Sequence, residues 1–148
     1  MTGGEARWRQ VLRWAAAVGF VAAGANHFRS MAFYARIIPP QLPSPAALVV
    51  ISGIAEMAGG AGLLIRPLRR WAAGGLIALL VAVFPANVYM ALHPDHFADL
   101  HLPAWVLYAR LPLQGLFIWW IYEVGYAGVL RESGCNITGP SRPAGRSG

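Results

Sequence analysis

The sequence contains no lysine, and its charged residues together make up only 12% of the chain. A water-soluble domain normally carries about 25% charged residues, which keep its surface hydrated. With half that fraction, the chain lacks the charge to cover a soluble surface, so much of its surface is expected to face lipid. Its 148 residues fit one compact domain.

Cysteine is nearly absent as well. The single Cys135 permits neither an internal disulfide nor the paired cysteines of a thiol–disulfide oxidoreductase. The twelve basic residues are all arginine, but they lie between apolar runs and form no continuous basic stripe. Nucleic-acid binding is therefore not predicted, and the arginines are interpreted as a signal of membrane topology. An arginine-only composition rich in Ala, Gly and Pro also indicates a GC-rich bacterial genome.

Long apolar runs are abundant. Four are long enough to cross a bilayer, because about 20 helical residues span its hydrocarbon core of roughly 30 Å. These runs cover residues 11–28, 46–65, 71–92 and 105–126. We therefore predict an all-α integral membrane protein, with a four-transmembrane-helix bundle in residues 8–130. A disordered N-terminus (1–7) and a disordered cytoplasmic tail (131–148) are expected to flank it.

Two features complicate this prediction. Glu56 lies near the middle of the second run, where a charged side chain costs about 3 kcal/mol, although the Leu, Ile and Val residues around it offset that cost. The first run could instead be a cleaved signal peptide, because it has a basic start and because Ala23-Gly24-Ala25 resembles a cleavage site.

The distribution of arginine predicts a plasma (inner) membrane protein with both termini on the cytoplasmic side. Cytoplasmic segments carry an excess of positive charge. With the N-terminus inside, three arginines lie outside, namely Arg29, Arg36 and Arg110. The other nine lie inside: Arg7, Arg9, Arg13, Arg66, Arg69, Arg70, Arg131, Arg142 and Arg146.

Two outer loops could have a role beyond connecting the helices. The segment 33–45 is apolar, aromatic and proline-rich, and it is predicted to form a short interfacial helix and a stiff turn that cap the bundle. It could act as a lid or as a passive membrane anchor. The segment 93–101 holds three His and two Asp, but their spacing fits no established zinc pattern, so no metal site is predicted.

Polar residues within the spans form the candidate site, as a ligand-binding or a structural cluster. Six residues make up this cluster: Asn26, His27, Glu56, Asn87, Arg110 and Gln114. Arg110 and Gln114 are four residues apart and share one face of the fourth helix. Arg110 and Glu56 differ in depth by roughly 7 Å. Two long side chains can bridge that distance, so an ion pair is predicted. No catalytic residue is assigned.

Two interpretations of this cluster remain open. The polar groups could hold the helices together, since Pro85 and Pro112 each free a backbone carbonyl that Asn87 or Gln114 could bind. Alternatively, the excess of donors and acceptors could form the floor of a pocket open to the outer face. Small residues in the second run (Gly53, Gly59, Gly60, Gly62) and the third (Gly75, Ala78, Ala82, Ala86) are expected to make the helix contacts.

Several motifs carry a family resemblance. They are Asn26-His27-Phe28, Phe33-Tyr34, Pro39-Pro40, Leu42-Pro43, Ser52-Gly53 with Glu56 and Gly59-Gly60-Ala61-Gly62, Pro85-Ala86-Asn87-Val88-Tyr89-Met90-Ala91, and Arg110-Leu111-Pro112-Leu113-Gln114. Over about residues 8–126, the chain resembles the DoxX family of small four-helix membrane proteins. The resemblance implies a first span that is retained, and relatives that are subunits of a thiosulfate:quinone oxidoreductase, members of oxidative-stress membrane complexes or assembly factors for receptors.

Two functions follow as expectations. In the first, the chain is a non-catalytic subunit or assembly partner of a membrane complex, with a redox protein as a possible partner. In the second, it is a quinone-binding subunit of a membrane oxidoreductase, in which Arg110, His27 and Glu56 hold the quinone headgroup and shuttle its proton. Quinone is the one cofactor considered, and neither a ligand nor an oligomeric state follows from the sequence.

Overall fold

A computed structural model of the chain describes residues 3–100 and 103–127. Within these residues all regular secondary structure is helical, which confirms the all-α prediction. The α-helices are α1 (Gly3–Arg29), α2 (Met31–Ile37), α3 (Pro45–Gly62), α4 (Arg69–Leu92) and α5 (Ala104–Tyr122). A 3-10 helix (Pro94–Leu100) precedes α5, and a π-helical segment (Glu123–Ala127) follows it.

The helix boundaries differ from the apolar runs for local reasons. Helix α1 begins at Gly3, so residues 3–7, for which disorder is predicted, extend the first helix. Helix α3 begins with Pro45, whose missing N–H costs nothing in a first turn. It ends at Gly62 because the chain then turns tightly into α4. The predicted cytoplasmic tail, 131–148, lies outside the described residues.

Two helices, α3 and α4, are long and apolar enough to cross a membrane. Within the described residues, α1 and α5 are not apolar enough to meet the same criterion for crossing a membrane. Ionisable and amide side chains lie along both helices, among them Arg13, His27, Arg110 and Gln114. A bundle of four spans is therefore not established by these helices alone.

The helices pack in a simple order. Helix α1 lies on α3, α3 on α4, and α4 on α5, while the short helix α2 folds back onto α3 and α4. One core cluster joins the four long elements at what we call the Arg69 end of the bundle: Ala16, Phe20, Leu63, Ala73, Leu76, Ile121 and Val124. A second cluster lies under α2 at the opposite end, here called the His27 end: Ile37, Met90, Phe97 and Leu107.

The glycines of α3 make close helix contacts on both of its sides, as predicted. A Cβ added to Gly53 would lie 3.0 Å from the carbonyl oxygen of Gly24, and one added to Gly60 would lie 2.9 Å from that of Ala17. Gly59 and Gly62 instead receive side chains of α4, from Leu76 and Ala72. Only glycine lets the backbones of α1 and α3 approach so closely.

The prediction for the third run is wrong for most of its small residues. A Cβ on Gly75 would meet no atom within 4 Å, and Ala78 and Ala82 are exposed. Helix α4 contacts α3 through Ala72 and Leu76 instead. The cause is the shape of α3, because the gap at Gly59 accepts a large side chain and so turns the small-residue face of α4 outwards.

Candidate functional site

His27 and Glu56 meet between α1 and α3. The missing side chain of Gly53 leaves room for His27, whose Cβ would be 3.0 Å from a Cβ at Gly53. Side chains lean towards the N-terminus of their own helix, so in this antiparallel pair the two lean towards each other. His27 Nδ1 lies 3.3 Å from Glu56 Oε2, and their side chains are only 12% and 16% exposed.

The hydrogen bonding of this pair is incomplete. His27 Nδ1 is 2.9 Å from the carbonyl oxygen of Ala23. Because a carbonyl oxygen only accepts, the contact assigns the proton to Nδ1, which donates to Ala23. Glu56 Oε2 is buried and has no hydrogen-bond partner. The carboxyl group of Glu56 therefore lies next to the imidazole without a directed hydrogen bond.

The predicted ion pair between Glu56 and Arg110 is wrong. Among the described residues Glu56 lies against His27, whereas Arg110 is half-buried and makes no ion pair there. The reason is the packing order, since α5 lies on α4 and α1 is the neighbour of α3 at this level. Glu56 and Arg110 have opposite charges and similar expected depths in the membrane, but these two properties do not determine which helices are neighbours.

Tyr34 completes this group, although from the sequence we placed it in the outer segment 33–45 and not in the candidate site. Its ring stacks on the imidazole of His27, with centroids 3.9 Å apart and an angle of 17° between the rings. Its hydroxyl accepts a hydrogen bond of 3.1 Å from Asn26 Nδ2. The turn at Ser30, where α1 ends and α2 folds back, brings the phenol over the histidine. We call Asn26, His27, Tyr34 and Glu56 the His27 cluster.

Asn87 and Gln114 form a separate bridge between α4 and α5. Asn87 Nδ2 donates to Gln114 Oε1 over 2.8 Å, and Gln114 Nε2 donates to the carbonyl oxygen of Leu80. Leu80 directly precedes Val81, whose carbonyl loses its helical N–H partner because Pro85 follows four residues later. The side chain of Gln114 is buried, so these two residues act as a structural bridge between helices.

The six predicted residues are thus divided among three places. Asn26, His27 and Glu56 come together, Asn87 and Gln114 form the bridge, and Arg110 stands apart among the described residues. A quinone headgroup held by Arg110, His27 and Glu56 requires all three at one point, and only the last two meet. A cavity of about 320 Å³ lies at the Arg69 end of the bundle, roughly 20 Å along α1 from His27.

Ring contacts and a long-range hydrogen bond hold the described part of the segment after α4. His93 and His96 stack with centroids 5.3 Å apart, and Arg36 donates to the carbonyl oxygen of His96 over 2.7 Å. Within residues 3–100 and 103–127, no three His, Cys, Asp or Glu side chains converge as a metal site would require. His101 lies outside these residues.

These features define an all-helical protein that has two helices able to cross a membrane. A family model described as "Domain of unknown function (DUF8561)" matches residues 16–125. Because the match covers most of the chain, the chain belongs to this family. No curated protein and no solved structure matches the chain.

The resemblance to DoxX is therefore wrong, since the matching family is a different one. The motifs that suggested it are short. Their distinctive residues are mostly glycines, prolines and single polar residues, which recur wherever transmembrane helices pack closely. The redox and thiosulfate:quinone functions that the resemblance implied lose their basis with it.

Proposed function

We propose that the chain is an integral membrane protein with four spans, α1, α3, α4 and α5, that acts as a non-catalytic subunit or assembly partner of a membrane complex. It lies in the plasma (inner) membrane, with the Arg69 end and both termini on the cytoplasmic side. The link to a redox partner came with the DoxX resemblance and is not part of this proposal.

The main observation that supports this proposal is an exposed apolar stripe on the outer face of α1. Val11, Trp14, Val18 and Val21 recur at helical spacing and are exposed by 65%, 52%, 62% and 37%. On the opposite face of the helix, Ala16 and Ala17 are buried. In water such an apolar stripe would drive aggregation. In a bilayer it is the face that contacts lipid.

The other long helices also expose large apolar side chains on their outer faces. Ile51 and Ile54 on α3, Val81 on α4 and Leu116 on α5 are all more than half exposed. The windows of α3 and α4 that could cross a membrane are only 22% and 17% buried within the protein. The core helices of a soluble protein would be mostly buried, so this low burial favours lipid as the surrounding medium.

Aromatic and basic residues mark the Arg69 end as an interface. Trp8, Trp71 and Trp119 are exposed there by 48%, 70% and 60%. Arg9 lies over the ring of Trp8 at 5.6 Å and Arg70 over that of Trp71 at 5.3 Å. Tryptophan is enriched where bilayer and water meet, and arginine on the cytoplasmic side. Both observations support the proposed orientation.

The role as a subunit or assembly partner is supported by how the polar residues are used. The bridge of Asn87 and Gln114 is satisfied between helices, which suits a structural role. In addition, the outward face formed by Gly75, Ala78 and Ala82 offers a surface on which a helix of another protein could approach closely.

Native gel electrophoresis of membranes solubilised in mild detergent tests this role. The tagged wild-type chain should migrate in an assembly larger than the monomer. Ala78→Leu with Ala82→Leu should shift it to the monomer, because the added side chains prevent close approach. Val18→Ile on α1 is the matched control and should leave the assembly unchanged. A wild-type chain that migrates only as a monomer would contradict the role.

A further inference from the structure

Arginines from two separate parts of the chain converge on the cavity at the Arg69 end. The cavity of about 320 Å³ is lined by residues of α1, of the turn after α3 and of the start of α4: Gln10, Arg13, Trp14, Leu64, Arg66 and Arg69. No acidic residue is among these lining residues. Three arginine side chains, those of Arg13, Arg66 and Arg69, therefore line one small space.

The cavity has a fixed wall. Arg69 is only 5% exposed, and its Nε donates a hydrogen bond of 3.1 Å to the carbonyl oxygen of Leu63. This bond holds the guanidinium plane in place against the turn. On α1, Gln10, Arg13 and Trp14 share one face, because they are three and four residues apart. The site is therefore set by two packed elements.

An apolar groove continues from the cavity along α1. The groove is lined by Arg7, Gln10, Val11, Trp14, Ala15 and Val18, and it shares Gln10 and Trp14 with the cavity. From Gln10 to Val18 it extends roughly 12 Å along the helix axis, towards the middle of the bundle. The arginine-lined cavity is thus directly continuous with the apolar groove.

We propose that the cavity and groove together bind one anionic phospholipid, with its phosphate among Arg13, Arg66 and Arg69 and an acyl chain along Val11 and Val18. Guanidinium groups pair bidentately with phosphate oxygens. Basic pockets between transmembrane helices on the cytoplasmic side bind anionic headgroups in this way. A free phosphate ion would use the cavity alone, whereas a lipid also explains the groove.

This inference rests on the proposed membrane location, but it is testable in detergent without reference to topology. The purified full-length chain is titrated with dioleoyl-phosphatidylglycerol, dioleoyl-phosphatidylcholine or inorganic phosphate, and bound molecules are counted by native mass spectrometry. Phosphatidylglycerol should bind at least about tenfold more tightly than phosphatidylcholine, since a charged hydrogen-bonded pair contributes about that factor. Inorganic phosphate should not compete at equal concentration.

Arg66→Gln is the decisive variant, because Arg66 is exposed and its replacement leaves the core intact. It should lose the preference for phosphatidylglycerol. Arg70→Gln is the matched control, since Arg70 lies over Trp71 outside the cavity, and it should keep the preference. Val18→Ser should weaken binding of the lipid through the groove while leaving the arginines unchanged.

Three results would overturn the inference. Equal binding of the two lipids would show that no site recognises the charge. Equal loss in Arg66→Gln and Arg70→Gln would assign the effect to general surface charge. Binding of inorganic phosphate as tight as that of the lipid would mean that the ligand is a free anion. None of these results bears on the number of spans, so failure here is distinguishable from failure of the proposed function.

Discussion

Gly24 and Gly53 face each other where α1 crosses α3, so closely that a Cβ on Gly24 would lie 2.6 Å from the carbonyl oxygen of Gly53. This contact sets the position of the His27 cluster, because it brings His27 beside α3 and within 3.3 Å of Glu56. The close crossing and the polar pair therefore form one structural unit.

Gly24→Ala should destabilise the protein. The added methyl group meets a backbone oxygen, which cannot move without shifting α3, and overpacking of this kind costs about 1–3 kcal/mol. The free energy of unfolding in detergent micelles measures the effect. Gly19→Ala is the matched control on the same helix, because a Cβ there meets nothing within 4 Å. Gly19→Ala should leave the free energy of unfolding unchanged or raise it by up to about 1 kcal/mol, because alanine has the higher helix propensity. Equal stabilities of the two variants would contradict the close crossing.

His27 and Glu56 should be energetically coupled. In a double-mutant cycle with His27→Gln and Glu56→Gln, we expect a coupling energy of about 0.5–3 kcal/mol, the range for residues in contact. The matched cycle pairs Glu56→Gln with Arg110→Gln, and it should be additive because these two side chains make no contact in the described structure. A coupling to Arg110 and none to His27 would restore the ion pair predicted from the sequence.

Tyr34 should contribute through its ring and its hydroxyl separately. Tyr34→Phe removes the hydrogen bond from Asn26 and keeps the stacking on His27, so it should cost about 1 kcal/mol of stability. Tyr34→Leu also removes the stacking and should cost about 0.5–1.5 kcal/mol more. Thermal unfolding of the three proteins in the same detergent compares them. If Tyr34→Phe and Tyr34→Leu lower the stability equally, the stacking of the ring on His27 contributes nothing to stability.

The helices were predictable from the sequence because apolar runs of about 20 residues have few alternatives to helix. The contacts of the α3 glycines were predictable as well, since small residues permit close approach. Which face of α4 points inward was not predictable. In a chain whose outer surface is as apolar as its core, the pattern of hydrophobic residues does not distinguish the two faces.

The candidate site was predictable only in part for a related reason. His27 and Glu56 stand out as ionisable groups within apolar runs, but their pairing depends on which helices are neighbours. That order follows from the crossing at Gly24 and Gly53 and from α5 lying on α4. Tyr34 could not be assigned to the site, because its position depends on the turn after α1 that folds α2 back over His27.

We propose that four helices cross the membrane with the Arg69 end in the cytoplasm, and reporter fusions test this topology most directly. Alkaline phosphatase is active only when it is exported, so fusions after successive loops report the side of each loop. We expect alkaline phosphatase activity for fusions after Gln41 and after Asp99, and none for a fusion after Arg70. Activity after Arg70 alone would reverse the orientation, and activity at all three positions would contradict the four spans.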